Sequence, residues 1–326
     1  MQYIVITSIF EPTEAVIKFS KIKNFKLLVV GDKKTPKKWS YKNVNYFGLE
    51  EQNSIDLNFS KLLPLNHYSR KMMGYLFAIR NDATIIYDTD DDNIPKENWS
   101  IPDFNGPFKF IKGNSGFYNV LKNFSDVKIW PRGFPLQKIL SPDSDSSFLS
   151  TDKKNFSIGI WQGLVDEDPD VDAIYRLTIG DAVYFKNNPP IILESGTICP
   201  INTQNTAFTL NTFPLLYIPA YVSFRFTDIL RGLIAQPILW AAGYRLGFQK
   251  ATVVQHRNPH NLLKDFESEI PCFLYPEIII EIVSDAISPK LSIKENLFLA
   301  YEALTHKKIV MKKELILLDA WLKFYK

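Results

Sequence analysis

"SRKMMGYLFAIRNDATIIYDTDDD", residues 69–92, reads as a helix, a turn and a buried strand that runs straight into acid. Met72, Met73, Leu76 and Ile79 recur at helical spacing, and the β-branched run that follows has the composition of a strand. Upstream the same alternation repeats. "YIVITSIF" (3–10) and "FKLLVVGD" (25–32) are strand-like, "VNYFGL" (44–49) is a third short strand, and "EPTEAVIKFSKIK" (11–23) fits a helix with Pro12 near its start. Repeated β-α-β units point to an α/β fold with a mostly parallel sheet. Ligands in such sheets bind beyond the carboxyl ends of the strands. The acidic run falls at one of those ends.

Four carboxylates in five residues (Asp88, Asp90, Asp91, Asp92) repel one another unless something offsets their charge. Two readings stand side by side. A loop in water tolerates them. Alternatively, period-two geometry turns Asp88 and Asp90 to one side, where they meet a hard cation such as Mg²⁺ or Mn²⁺ together with phosphate oxygens. An EF-hand does not fit, because its glycine and distant glutamate are missing.

The rest of the composition bounds the function class. A net charge of +3 on 326 residues is too small to imply nucleic acid. The basic C-terminal stretches "THKKIVMKKELILL" and "WLKFYK" read as an amphipathic surface, which also suits a membrane surface near a lipid-linked acceptor. Cys199 and Cys272 are the only cysteines, too few for a disulfide scaffold and expected to be inert thiols in a reducing compartment. No secretory leader and no membrane-spanning run is visible, so the expected location is cytoplasmic, with peripheral membrane contact as an addition.

From Trp130 to Asn211 the chain is rich in Pro, Gly and Asn and is expected to be mostly loop. "FTDILRGLIAQPILWAAGYRLGF" (226–248) reads as a helix that Pro237 kinks or ends, with "ATVVQHRN" as a strand after it. The chain from Asn261 onward is helical in pattern. The expected division is a catalytic domain over 1–260 and a helical C-terminal extension over 261–326.

Several stretches in order, "GDKKTPKKW", "LPLNHYSRKMMGYLFAIRNDATIIYDTDDD", "WPRGFPL", "QGLVDEDPDVDAIYRL", "INTQNT" and "RFTDILRGLIAQPILWAAGYRLGF" followed by "QHRNPHNLLKDFESE", resemble the plant STELLO proteins. A more distant likeness is to the reversibly glycosylated polypeptides, or UDP-arabinopyranose mutases. The STELLO resemblance implies a GT-A-like nucleotide-diphospho-sugar transferase fold, with a mostly parallel mixed central sheet and a helical C-terminal portion. It implies a metal-dependent glycosyltransferase that takes a UDP-sugar donor and a carbohydrate, lipid-linked or protein acceptor.

The resemblance also assigns roles. Asp90 and Asp91 are placed on the metal, Mn²⁺ or Mg²⁺, with Asp88 nearer the ribose and Asp92 solvated. Asp228 is the expected base for an inverting transfer, its bland alternative being a first-turn or N-cap acid. Arg132, on a stiff Pro/Gly loop, suits bidentate recognition or a loop-to-core salt bridge. In the mutase-like relatives the comparable arginine goes with self-glycosylation. Thr7, Ser8, Gly31 and Asp32, at the ends of the first two strands, are expected around the nucleotide or simply in strand-end turns. Arg70 and Lys71 face the phosphates or are a solvated pair. Asn202, Gln204 and Asn205 bind sugar hydroxyls or cap a turn. Arg225 and Arg231 orient acceptor or diphosphate. His256 completes the metal shell or is structural, and His67, His260 and His306 carry weaker claims. The alternatives to transfer are a UDP-sugar mutase or self-glycosylating protein, and a non-enzymatic scaffold.

Overall fold

The computed structural model describes residues 1–139, 148–256 and 261–325. In chain order the strands are β1 (Gln2–Thr7), β2 (Lys26–Val30), β3 (Val44–Phe47), β4 (Ile85–Thr89), β5 (Asn93–Pro95), β6 (Asn105–Ile111), β7 (Gly116–Phe117), β8 (Lys154–Glu167), β9 (Ile191–Leu193), β10 (Thr197–Ile198), β11 (Asn205–Thr209) and β12 (Arg245–Gln255). The helices are α1 (Glu14–Phe19), α2 (Leu49–Ile55), α3 (Leu57–Leu62), α4 (Lys71–Arg80), α5 (Leu136–Ile139), α6 (Ala173–Thr178), α7 (Thr227–Ala241), α8 (Leu262–Leu274), α9 (Pro276–Ala286), α10 (Ile293–His306) and α11 (Lys312–Leu322).

Ten strands form one mixed sheet in the order β3-β2-β1-β4-β11-β8-β6-β9-β12-β5, with β8 also pairing to β12. The half that carries the acidic turn is all parallel: β2 pairs β3, and β1 pairs both β2 and β4. Parallel pairing needs crossovers, and α1 and α4 supply two of them. The expected α/β class, mixed central sheet and helical C-terminal portion are present, but the sheet is not mostly parallel, because β11 and β5 pair antiparallel with their neighbours and β6–β8 and β9–β12 are antiparallel too.

Two local choices let α4 deliver the acidic strand. Its Gly74 lies so close to the sheet that a Cβ there would approach Val5 Cγ1 to 2.6 Å and Val30 Cγ2 to 2.8 Å. The helix is also buried on nearly every side, Lys71 included, so it is not a one-sided amphipathic surface helix.

Two further expectations are adjusted. The loop-rich middle is crossed by an element the sequence did not show, β8, the longest strand, 14 residues buried along most of their length. Its Gly159 and Gly163 look like punctuation in the sequence. In the fold they make room for Leu239 and the Asn205 side chain, and a Cβ at either position would collide with its neighbour. Pro237 does not end α7, which continues to Ala241 with the proline inside it. The helix stops instead where Gly243 takes φ 80°, and Tyr244 N–H donates to Leu239 O at 2.8 Å.

The C-terminal helices share a core with α7 and the segment before it. Trp321 Nε1 donates to Pro214 O at 3.0 Å, and buried Glu314 of α11 accepts from Ala220 N and Tyr221 N, both at 2.9 Å. The expected boundary near residue 260, and His260 with it, lies outside the described residues. Among the described residues no helix is long and apolar enough to cross a membrane.

Candidate functional site

The four carboxylates after β4 meet four different fates. Asp88 is fully buried between Lys71 Nζ at 2.8 Å and Arg231 Nη1 at 2.9 Å. Asp90 is half-buried and accepts from the same Lys71 Nζ at 2.9 Å. Asp91 accepts a short hydrogen bond from Ser8 Oγ, while its carbonyl takes the Thr13 hydroxyl at 2.5 Å. Asp92 Oδ2 takes Gln255 Nε2 at 2.8 Å. Period-two geometry does turn Asp88 and Asp90 to one side, and the cation they share there is the Lys71 ammonium. Lys71 gives its third proton to Thr89 O at 2.8 Å, so it is completely used.

Desolvation raises the carboxyls of both Asp90 and Asp91 to about 6. Lys71 and Ser8 respectively pull them back, and neighbouring acids add to the rise. This fixes the sign of a pH effect. Between the ordinary carboxyl value of 3.8 and about 6 the folded chain keeps protons that the unfolded chain has lost. Stability from this pair is therefore full below that window and falls as pH rises through it. Asp91→Asn removes one such charge while preserving shape. Thermal unfolding at pH 7.5 is expected to show a higher midpoint for this variant than for wild type, and at pH 4 the two should coincide.

A second cluster lies across the same cleft. Arg132 is buried and forks both ways. Its Nε and Nη2 reach Asp170 at 2.9 and 2.7 Å, and its Nη1 and Nη2 reach Asp228 at 3.1 and 3.0 Å. The stiff "WPRGFP" loop aims this planar group, as expected of an arginine held for bidentate pairing. Asp228 lies in the first turn of α7 yet makes no capping bond, since its carboxylate is turned onto Arg132. Burial pushes the Asp170 carboxyl up, but Arg132, Arg225 and Arg176 together hold it below its ordinary range. Arg225 is anchored by Glu269 of α8 through Nε at 2.9 Å and Nη2 at 2.7 Å.

Two adjoining cavities open at the carboxyl ends of β1, β2 and β4. One, of about 200 Å³, is lined by Thr7, Ser8, Gly31, Asp32, Arg70 and Asp91 among others. The other, of about 250 Å³, is lined by Asp90, Asp91, Arg132, Gln204, Arg225 and Asp228 among others. Thr7, Tyr68, Asp91 and Phe224 border both. Phe224 is half exposed, with its ring edge-on to Tyr68 at 5.1 Å and to His67 at 5.6 Å.

Other expected residues sit elsewhere. Asp88, Lys71 and Arg231 form a buried ion cluster beneath the cavities, so none of them reaches a ribose, a phosphate or an acceptor. Arg70 borders the smaller cavity, but its guanidinium is consumed by Gln52 Oε1 at 2.7 Å, Ser60 Oγ at 2.8 Å and Leu63 O at 3.1 Å. Asn205 is buried in the sheet, donating to Leu164 O at 2.8 Å and accepting from Tyr87 at 2.9 Å. Asn202 caps its own turn by accepting Gln204 N at 3.0 Å. His256 pairs with Glu167 at 2.7 Å in a different cleft, beside Glu14 and Lys96, and so does not join Asp90. Gln204 remains in place: its Oε1 is buried without a partner at the edge of the larger cavity.

Among the described residues no three carboxylate, histidine or cysteine groups form a ready metal cage. The donors present still suit a hard divalent ion, because Asp90 and Asp91 are two desolvated carboxylates that border the cleft. Mg²⁺-type ions are commonly held by one or two carboxylates with substrate phosphates completing the shell.

Sequence reading missed Asp170, Tyr68, Phe224 and Gln255. The acid-rich "VDEDPDVD" stretch was the available signal for Asp170. Nothing in the chain shows that its partner is 38 residues upstream.

Residues 225–326 match the family described as STELLO glycosyltransferases. Two Arabidopsis thaliana proteins are similar. "Probable glycosyltransferase STELLO1" is 29% identical over 262 residues, covering 74% of this chain and 34% of the relative. "Probable glycosyltransferase STELLO2" is 27% identical over 274 residues, covering 77% and 35%. The chain thus spans about a third of the length of these curated relatives. Among solved structures, a mycobacterial protein aligns over 87% of this chain and 74% of its own at 9% identity, TM-score 0.40. Glucosyl-3-phosphoglycerate synthase from Mycobacterium tuberculosis, in complex with phosphoglyceric acid, aligns over 87% and 79% at 9% identity, TM-score 0.39.

Proposed function

We propose that the chain is a glycosyltransferase of GT-A-like fold that moves a sugar from a UDP-sugar to an acceptor hydroxyl with inversion. One observation carries this reading. Residues from β1, β2, the β4 exit, the 130–134 loop and the start of α7 border two adjoining cavities at the carboxyl ends of parallel strands. In that arrangement Thr7, Ser8, Gly31 and Asp32 receive the nucleoside, and the Tyr68 and Phe224 rings wall it.

The diphosphate then falls beside Asp90 and Asp91, which would hold Mn²⁺ or Mg²⁺. Such an ion, when bound, supplies neutralisation of the charge on the leaving diphosphate. Asp228, kept oriented by Arg132, takes the proton of the acceptor hydroxyl. The acceptor oxygen bonds to the anomeric carbon as the bond to the diphosphate oxygen breaks, and UDP leaves. Gln204 Oε1 offers an acceptor to a sugar hydroxyl.

The mutase or self-glycosylating alternative needs Arg132 in the chemistry. Its clamp between Asp170 and Asp228 favours transfer to an external hydroxyl instead. Calorimetric titration with UDP, with and without Mn²⁺, tests the reading. UDP should bind only with the ion, and Asp90→Asn should weaken binding by about tenfold or more. Absence of binding under both conditions would leave a scaffold protein. Radiolabelled UDP-sugar that marks the protein itself would move the function to self-glycosylation.

A further inference from the structure

The lysines of this chain are unevenly placed. Residues 18–42 hold nine of them and a single acid, Asp32, whereas the whole chain carries a net charge of only +3, so the remainder is net acidic. All nine are exposed, and five of them stand on the connection between β2 and β3, within residues 33–42. Lys18 pairs with Glu14 at 2.8 Å, and among the described residues the others have no ion-pair partner. We propose that this face is a docking surface for a membrane that bears anionic lipid headgroups. The proposal does not depend on the transferase reading.

The fold gathers these charges on one side of the sheet and holds them there. Buried Trp39 shares a core with Ala15, Val16 and Phe19 of α1 over β1 and β2, and its ring stacks on Tyr46 of β3 at 4.6 Å. The connection that carries Trp39 is pinned as well. Thr35 Oγ1 donates to Ser8 O and accepts from Asp32 N, both at 2.8 Å. Trp39 Nε1 donates to Phe10 O at 2.8 Å. Like charges fixed side by side repel, and a surface of opposite sign relieves that repulsion.

Two observations select a bilayer over other polyanions. The patch is built from lysine with no arginine, so it offers mobile point charges in place of the planar forks that fix on single phosphates or base edges. Beside it stand two exposed apolar side chains, Ile9 at 40% and Phe10 at 50%, and the Trp39 bond ties the Phe10 backbone to the lysine-rich connection. Apolar tips next to clustered lysines suit a headgroup boundary, where the tips enter and the ammonium groups stay in water among the anions. Ile9, Phe10 and Lys34 also border the smaller cavity, so docking would hold that cavity beside the bilayer. The C-terminal lysines are partly spent: Lys313 lies over the Tyr221 ring at 3.9 Å, and Lys323 pairs with Asp319 at 2.6 Å.

The test sediments the full chain, without nucleotide or sugar, with vesicles of phosphatidylcholine alone and of phosphatidylcholine with phosphatidylserine at about 7:3. Binding should require phosphatidylserine and weaken by about tenfold or more between about 0.05 and 0.3 M salt. The triple variant Lys37→Glu, Lys38→Glu, Lys42→Glu changes residues that border neither cavity of the cleft. It should melt no lower than wild type and lose about 100-fold or more in vesicle affinity, since each lysine near anionic lipid contributes about fivefold. The same reversal at Lys307, Lys312 and Lys313 should change affinity by about twofold or less. Phe10→Ser should weaken binding by about threefold or more and leave the salt dependence unchanged. Equal binding to both vesicles, equal losses in the two triple variants, or an indifferent Lys37/Lys38/Lys42 triple or Phe10→Ser variant would each overturn the assignment. So would no vesicle binding at all, or tighter binding to single-stranded RNA than to the mixed vesicles.

Discussion

Asp228→Asn is expected to lower sugar-transfer turnover by about 10²–10⁴-fold while leaving Mn²⁺-dependent UDP binding within about twofold of wild type. The asymmetry follows from where the carboxylate sits. Asp228 borders only the larger of the two adjoining cavities, and its carboxylate is bonded to Arg132 rather than to Thr7, Ser8, Gly31 or Asp32. Its amide isostere can still accept one hydrogen bond from Arg132, which keeps its second fork on Asp170. What the amide cannot do is take a proton from the acceptor.

Asp170→Asn provides the contrast. Asp170 borders the same cavity but spends its carboxylate on Arg132 and, at 3.9 Å, Arg225, so in the proposed reaction it orients Arg132, and its loss should shift the pH–rate profile and cut turnover far less than the Asp228 change. Single-turnover kinetics and UDP calorimetry on both variants separate these outcomes. Equal turnover losses with UDP binding lost in both would show that the cluster is a structural brace and not a base with its orienter.

The sequence made the parallel half of the sheet legible because its signals are local. Strand, helix and strand each carry their own periodicity, and the acids sit at the exit of β4, where period-two geometry fixes their direction. Asp90, Asp91, Arg132 and Asp228 could be picked out as cleft residues from their chemistry and from the family pattern around them. What stayed illegible was partnership. Lys71 reads as a phosphate ligand until Asp88 and Asp90 are seen to enclose it from 17 and 19 residues away. Asn205 reads as a sugar ligand until β8 and β12 close over it, and β8 was hidden because its glycines look like turns in one dimension. Arg231 and Asp88 are 143 residues apart, and only packing of α7 under β4 makes them a pair. Polar residues that neutralise one another in a core look, in sequence, the same as polar residues that await a ligand.

Lys71→Met is the variant that separates those two roles for the cation at the centre of the acidic turn. A lysine that binds phosphate can be lost with stability intact and donor affinity reduced. Lys71 in this fold is wholly buried and spends its three protons on Asp88, Thr89 O and Asp90. Methionine fills the same length but leaves Asp90 without its counterion and Asp88 with Arg231 alone. Removing one partner of a buried ion cluster costs about 3–5 kcal/mol, because the remaining charges stay buried.

Urea unfolding at pH 7.5 should therefore show a loss of that size. The loss should shrink as pH falls below about 6, where Asp90 takes up a proton and no longer needs the ammonium. Adding Asp90→Asn to Lys71→Met should recover part of it, giving a coupling energy of about 1 kcal/mol or more in the double-mutant cycle. A Lys71→Met chain as stable as wild type, with UDP binding lost, would return Lys71 to the phosphate role and leave the acidic turn dependent on an external cation.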